Sequence, residues 1–334
     1  MLELHDVSHT VPQLRDVLDA QRVIAPYLDP TPLRRYATLD GVVGAEVFVK
    51  HENHQPTGAF KVRGGINLVI RLDPKQRAAG VYAASTGNHG QSVAYAASLF
   101  GVAATIFVPR GANPVKVASM RSLGATVIEH GSDFDEARER CDEEAAERGA
   151  RYVHSGDEPL LIAGVATATL ELLEREPSIG VVLVPVGGGS GAAGACVVAK
   201  AIDSRIEVVG VQSEAAPAAY RAWRERRPTV DEMRTFAEGL QTRVSFELPQ
   251  RILVEYLDDF VLVSDDELRA ATLTLTELTR TLVEPAGAAP LAAALKLRER
   301  LAGRRVALIC SGGNISPGQL RDLLEWDRGR QSPT

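Results

Sequence analysis

Eight short apolar runs, each separated from the next by polar or helix-like sequence, restrict this chain to α/β architectures. They are "EVFVK" (46–50), "GVYAAS" (80–85), "ATIFVP" (104–109), "ATVIEH" (125–130), "VVLVPV" (181–186), "IEVVGVQ" (206–212), "FVLVS" (260–264) and "RVALICS" (305–311). Most are nearly continuous rather than alternating, the pattern of parallel strands covered on both faces. Strands that alternate with helices predict a twisted, mostly parallel sheet. One helix start is well marked: Ser264-Asp265-Asp266-Glu267 has capping-box spacing before the apolar-periodic "LRAATLTLTELTRTLV". The charged tail "EWDRGRQSPT" is expected to fray at its end.

Composition narrows the function classes. A chain of 334 residues buries a sizeable core, as two domains or one large α/β unit. Net charge is −6 with no long basic run, which argues against a nucleic-acid surface. The start, "MLELHDVSHTVPQLRDVLDAQ", lacks the positive segment and apolar block of a signal peptide. No apolar stretch reaches membrane-spanning length without glycine or charge. Cys141, Cys196 and Cys310 are odd in number and far apart, against a disulfide framework or a cysteine-rich zinc site. A cytoplasmic protein is expected.

Ligands of open parallel sheets gather beyond the C-terminal ends of strands. Three ends here run into small residues: "VYAASTGNHG", "VVLVPVGGGSGAAG" and "VALICSGGN". In the second, a glycine loop joins a strand to a helix, so backbone N–H groups and the positive helix end can cradle a phosphate. Gly189, Gly191 and Gly194 also fit G-x-G-x-x-G with Glu214 further on, so a nicotinamide dinucleotide is a competing ligand. In the first, Ser85, Thr86 and the N–H groups of Gly87 to His89 can hold a carboxylate, or Ser85 or Thr86 can simply cap the helix. Asn88 can donate to a phenolic or carbonyl oxygen, and Ser311 offers a neutral hydroxyl. "QPTGAFKVRGG" (55–65) places Lys61 beside Phe60 and small residues. Desolvation there favours the neutral amine that attacks a carbonyl, against the ordinary fate of a solvated lysine. His51-Glu52-Asn53-His54 is one residue short of H-E-x-x-H and has no evident third ligand, so no metal is expected.

In this order, "TGAFKVRGG", "STGNHGQ", "PVGGGSG" and "SGGN" resemble the fold-type II pyridoxal-phosphate enzymes, whose fold is tryptophan synthase β-like. The threonine/serine dehydratase and serine racemase branch is most similar, with "TPL" (31–33), "SGDEPLLIAG" (155–164) and "EPAGAA" (284–289) in support. The resemblance covers nearly the whole chain. It implies two α/β domains with mostly parallel sheets: residues 1–77 plus 155–334 binding pyridoxal 5'-phosphate, and a small mobile domain of residues 78–154. Lys61 would anchor the cofactor and act as the catalytic base, with Phe60 against its ring. Gly187, Gly188, Gly189, Ser190 and Gly191 would hold the phosphate, Asn88 the 3′ oxygen and Ser311 the pyridine nitrogen. Ser85, Thr86, Gly87 and His89 would embrace the substrate carboxylate.

The implied reaction is β-elimination of water from a β-hydroxy amino acid such as L-threonine or L-serine, giving a 2-oxo acid and ammonia. 3-Hydroxyaspartate, a phenylserine and racemisable serine are the alternatives within that chemistry, and an NAD-dependent oxidoreductase is the alternative outside it. Thr86 stands where serine racemases carry a second catalytic serine; its hydroxyl can take that catalytic role, but its methyl crowds that face. Gln212 and Ala218 stand where the racemase branch has acidic divalent-cation ligands. The sequence after "SGGN" is too short for the regulatory domain of biosynthetic dehydratases, and a homodimer is expected by resemblance.

Overall fold

The structure, a computed structural model, describes residues 10–331. Ten strands form: β1 (Leu33–Arg35), β2 (Glu46–His51), β3 (Val81–Ala84), β4 (Ala104–Val108), β5 (Thr126–Glu129), β6 (Arg151–Tyr152), β7 (Val181–Pro185), β8 (Glu207–Ser213), β9 (Asp259–Val263) and β10 (Arg305–Cys310). All eight apolar runs are strands. β1 and β6 are additions: three and two residues long, "LRR" and "RY", with no apolar run to announce them.

The strands make two sheets. One has six strands in the order β1-β2-β10-β7-β8-β9, and the other four in the order β5-β4-β3-β6. Every pairing is parallel except β1 on β2, where Leu33 faces Lys50. All strands of the smaller sheet come from residues 81–152, between β2 and β7 in the chain.

Both faces of each sheet are covered, which explains the continuous apolar runs. In the larger sheet Val182, Val184, Val208, Ala307 and Ile309 point into one core, under the helices Pro159–Arg175, Ser190–Ile202 and Glu247–Tyr256. Val181, Leu183, Val209, Val306 and Leu308 point into another, under the helices Asp265–Thr279 and Pro285–Lys296. The smaller sheet splits likewise, Val81, Ala83 and Ile106 on one side and Tyr82, Ala84 and Phe107 on the other. The capping box at Ser264 forms: its hydroxyl accepts from Glu267 N–H, and the Glu267 carboxylate accepts from Ser264 N–H. The tail is helical over Pro317–Gln331, and its last three residues lie outside the described residues. Among the described residues no helix is long and apolar enough to cross a membrane.

Candidate active site

Lys61 opens the helix Lys61–Val69, directly after the Pro-Thr-Gly turn. That turn is pinned from the far end of the chain. Ala59 forms an antiparallel bridge with Gly312, and the Phe60 N–H donates to the Ser311 carbonyl at 3.0 Å. The lysine segment and the Ser311 turn are therefore one unit in space, although 250 positions separate Lys61 from Ser311. From behind, the Ser92 hydroxyl donates to the Lys61 carbonyl at 2.6 Å.

The Lys61 amine donates to the Ser155 carbonyl at 2.8 Å and to the Ser190 hydroxyl at 2.7 Å. Both acceptors are neutral. With burial unopposed by a nearby carboxylate, the amine is pushed down to about 7. Ser190, expected only as part of the phosphate loop, is thus a direct partner of Lys61. The Phe60 ring centroid lies 5.4 Å from the amine, and a Cβ at Gly191 would come within 3.1 Å of that ring.

The glycine loop runs from β7 into the helix Ser190–Ile202, so free N–H groups and the positive helix end meet at one spot. Gly189, the N-cap, has φ +87°, a left-handed conformation that favours glycine. At Gly188 a Cβ would lie 2.2 Å from the Phe246 ring, so only a bare backbone fits under that aromatic.

The turn after β3 leads into the helix Asn88–Leu99. The Ser85 oxygen accepts from Gly87 N–H (3.2 Å) and Gly90 N–H (2.9 Å), so Ser85 caps the helix while lining the cavity. His89 places Nε2 3.0 Å from the Val153 carbonyl, which makes Nε2 the protonated nitrogen. Burial, reinforced by the Lys61 charge, pushes His89 down to about 3. Its Nδ1 is buried without a partner and is an acceptor only, so His89 can serve an anion through its backbone N–H, not its ring.

These segments close on a cavity of about 690 Å³ that brings together every residue assigned by resemblance to the cofactor or the substrate: Phe60, Lys61, Ser85, Thr86, Gly87, Asn88, His89, Gly187 to Gly191 and Ser311. Side chains with no role assigned from the sequence line the same wall. Glu284 accepts from Asn88 Nδ2 at 2.8 Å, Ser155 holds Lys61, and two ion pairs cross the cavity rim, Lys116 with Glu238 and Arg243 with Asp135 (3.6 Å). Each of these pairs joins segments far apart in the chain, and no local pattern marks them.

Two other sequence features lie elsewhere. His51 and His54 stack at 5.0 Å, with the His51 nitrogens taken by Asn53 and Tyr36, while Glu52 is buried against Arg63. Glu214 is half-exposed beside Lys296 (3.5 Å) and does not line the cavity, and Gly194 packs on Ala166 of the neighbouring helix. The acidic residue that would take the ribose of a dinucleotide thus stands outside the site.

Comparison with known proteins agrees. The family described as "Pyridoxal-phosphate dependent enzyme" matches residues 24–312. An L-threonine ammonia-lyase of Thermotoga maritima is 39% identical over 93% of this chain and 78% of its own. An L-threo-3-hydroxyaspartate ammonia-lyase of Saccharomyces cerevisiae is 36% identical over 94% of this chain and 97% of its own. The crystal structure of a serine racemase from Dictyostelium discoideum superposes with a TM-score of 0.87 at 31% identity, covering 92% of this chain and 100% of that one. The residues present fit the cofactor: a lysine amine poised near neutrality stands in one cavity with a bare-backbone cradle at a helix N-terminus. The chain belongs to the pyridoxal-phosphate dependent enzyme family.

Proposed function

We propose that this chain is an ammonia-lyase that eliminates water from a β-hydroxy amino acid, L-threonine or L-serine, to give a 2-oxo acid and ammonia. The observation that carries this reading is the Lys61 amine, about 7, facing the same cavity as the glycine cradle and the Ser85–His89 turn. When bound, pyridoxal phosphate supplies an aldehyde for an amine and a conjugated ring that accepts electron density from Cα.

The protein's own groups do the rest. Gly187, Gly188, Gly189, Ser190 and Gly191 would hold the phosphate through backbone N–H groups, with Phe60 against the ring. Asn88 would donate to the 3′ oxygen, and the Ser311 hydroxyl would meet the pyridine nitrogen without a carboxylate's pull toward protonation. Ser85, Thr86, Gly87 and His89 hold the substrate carboxylate at the N-terminus of the helix Asn88–Leu99. Lys61 would anchor the cofactor and, as the catalytic base, take the Cα proton. The Cα proton and the β-hydroxyl together make up the water eliminated, and the released enamine takes up water to yield the 2-oxo acid and ammonia. The Thr86 methyl on the opposite face favours elimination over racemisation. The yeast relative supports 3-hydroxyaspartate as a second substrate.

The test is a screen for 2-oxo acid and ammonia over L-threonine, L-serine and 3-hydroxyaspartate, with a Lys61→Ala control. Equal yields of the two products, lost in the control, are expected. Turnover of none of the three would overturn the substrate assignment. The proposal includes a cytoplasmic homodimer, on the resemblance and the composition. Light scattering should give twice the chain's 35.8 kDa, and a monomer mass would contradict the dimer.

A further inference from the structure

Glu284 is a buried carboxyl in the cavity wall that the mechanism above does not use. It precedes the helix Pro285–Lys296, is 6% exposed, and its N–H donates to the Gly312 carbonyl at 3.1 Å. That bond seats it beside the Ser311 turn. Its Oε1 accepts from Asn88 Nδ2 at 2.8 Å. On the other side, Asn314 Nδ2 donates to Asn88 Oδ1 at 2.8 Å and to the Thr57 carbonyl at 2.8 Å.

Each end of the Asn88 amide therefore meets a partner of the right kind. Its oxygen faces a donor and its nitrogen faces an acceptor, which settles the way the amide points. The surroundings are built to admit these partners. A Cβ at Gly312 would lie 2.3 Å from Glu284 Oε1, and one at Gly58 would lie 2.5 Å from Asn314 Oδ1. An amide nitrogen carries two N–H bonds. Glu284 takes one, and the second is left for a ligand.

We propose that Glu284 is a positioning residue which, with Asn314, holds the Asn88 amide so that its remaining N–H is offered to the cofactor's phenolic oxygen. The inference rests on the cofactor reading of Asn88 above. Without the clamp the amide is free to turn, and its oxygen would then face the phenolic oxygen, two acceptors in contact. Burial pushes the Glu284 carboxyl up, against the Lys116 charge and the Asn88 bond. Toward Asn88 the side chain acts through an acceptor oxygen, Oε1, and a glutamine amide oxygen can take its place.

The experiment measures the affinity of the apo-protein for pyridoxal phosphate and for its 3-deoxy analogue, which lacks the phenolic oxygen. Parent, Glu284→Gln, Glu284→Leu and Asn314→Ala are compared, with attachment at Lys61 mapped in each. Loss of one hydrogen bond to a charged oxygen should cut the preference for pyridoxal phosphate over the analogue about tenfold in Glu284→Leu. The same direction is expected in Asn314→Ala, with the parent ratio kept in Glu284→Gln. A general loss of structure weakens both ligands alike and leaves the ratio unmoved. Parent-like ratios in Glu284→Leu and Asn314→Ala would overturn the proposal, as would a Glu284→Gln ratio as low as that of Glu284→Leu. Should the buried leucine prevent folding, Asn314→Ala decides. If the parent itself takes no pyridoxal phosphate at Lys61, the cofactor reading falls and this inference with it. If it does and the ratios do not change, only this inference falls.

Discussion

Lys61 is kept near neutrality by what surrounds it rather than by an opposing charge. Its hydrogen-bond partners, the Ser155 carbonyl and the Ser190 hydroxyl, carry no formal charge, so burial is left to lower the amine from 10.5 to about 7. The neutral amine is the form that attacks an aldehyde, so the sign is fixed: capture of pyridoxal phosphate by the apo-protein should speed up as pH rises through about 7 and then level off. Stopped-flow absorbance across that range checks it. A rate still climbing toward the ordinary 10.5 would show a solvated lysine instead. His89 shows the opposite use of burial: at about 3 its ring stays neutral and is spent on the Val153 carbonyl, leaving the backbone to serve the ligand.

At the scale of elements, the helix Lys61–Val69 is fixed by a buried charge network two residues past the lysine. Arg63 donates to Glu52 (2.7 and 2.8 Å) and to Glu171 (2.6 and 2.8 Å), and Lys50 reaches Glu171 at 2.5 Å. Burial pushes the Glu52 carboxyl up, but the Arg63 guanidinium outweighs it and holds the group below its usual range. The folded pKa is the lower one, so this contribution is present at neutral pH and lost as pH falls through the folded value. Arg63→Leu strands the buried Glu52 carboxylate, while Glu171 keeps Lys50, and should cost about 3–5 kcal/mol, read as a lower urea midpoint with an unchanged slope. A loss under about 1 kcal/mol would mean that water or neighbours take over the pairing.

Elements also show what the sequence could and could not say. Strands covered on both faces, such as β7 and β10, are visible because their runs are apolar throughout, apart from Arg305 at the start of β10. β1 and β6 are invisible because "LRR" and "RY" owe their conformation to partners, β2 and β3, rather than to a run of their own. The same division holds in the site. Lys61, the glycine loop and the Ser85–His89 turn are legible as local patterns whose chemistry follows from neighbours in sequence. Glu284 and Asn314 are not, because their roles depend on Asn88, 196 and 226 positions away. "EPAGAA" and "SGGN" marked the right segments without revealing which side chains meet.

For the whole molecule, the decisive feature is that loops from both sheets converge. The glycine loop follows β7 and the Ser311 turn follows β10 of the larger sheet, and the Ser85–His89 turn follows β3 of the smaller. Lys116–Glu238 and Arg243–Asp135 tie the two sides together at the rim. Such a site needs both sheets formed, so cofactor capture reports on the intact fold as well as on one lysine. The most direct test of the account is to incubate the full chain with pyridoxal phosphate, reduce it with borohydride and map the pyridoxyl peptide. A single adduct is expected, on Lys61, and lost in Lys61→Ala. No adduct, or one spread over surface lysines while Lys61 stays unmodified, would contradict it.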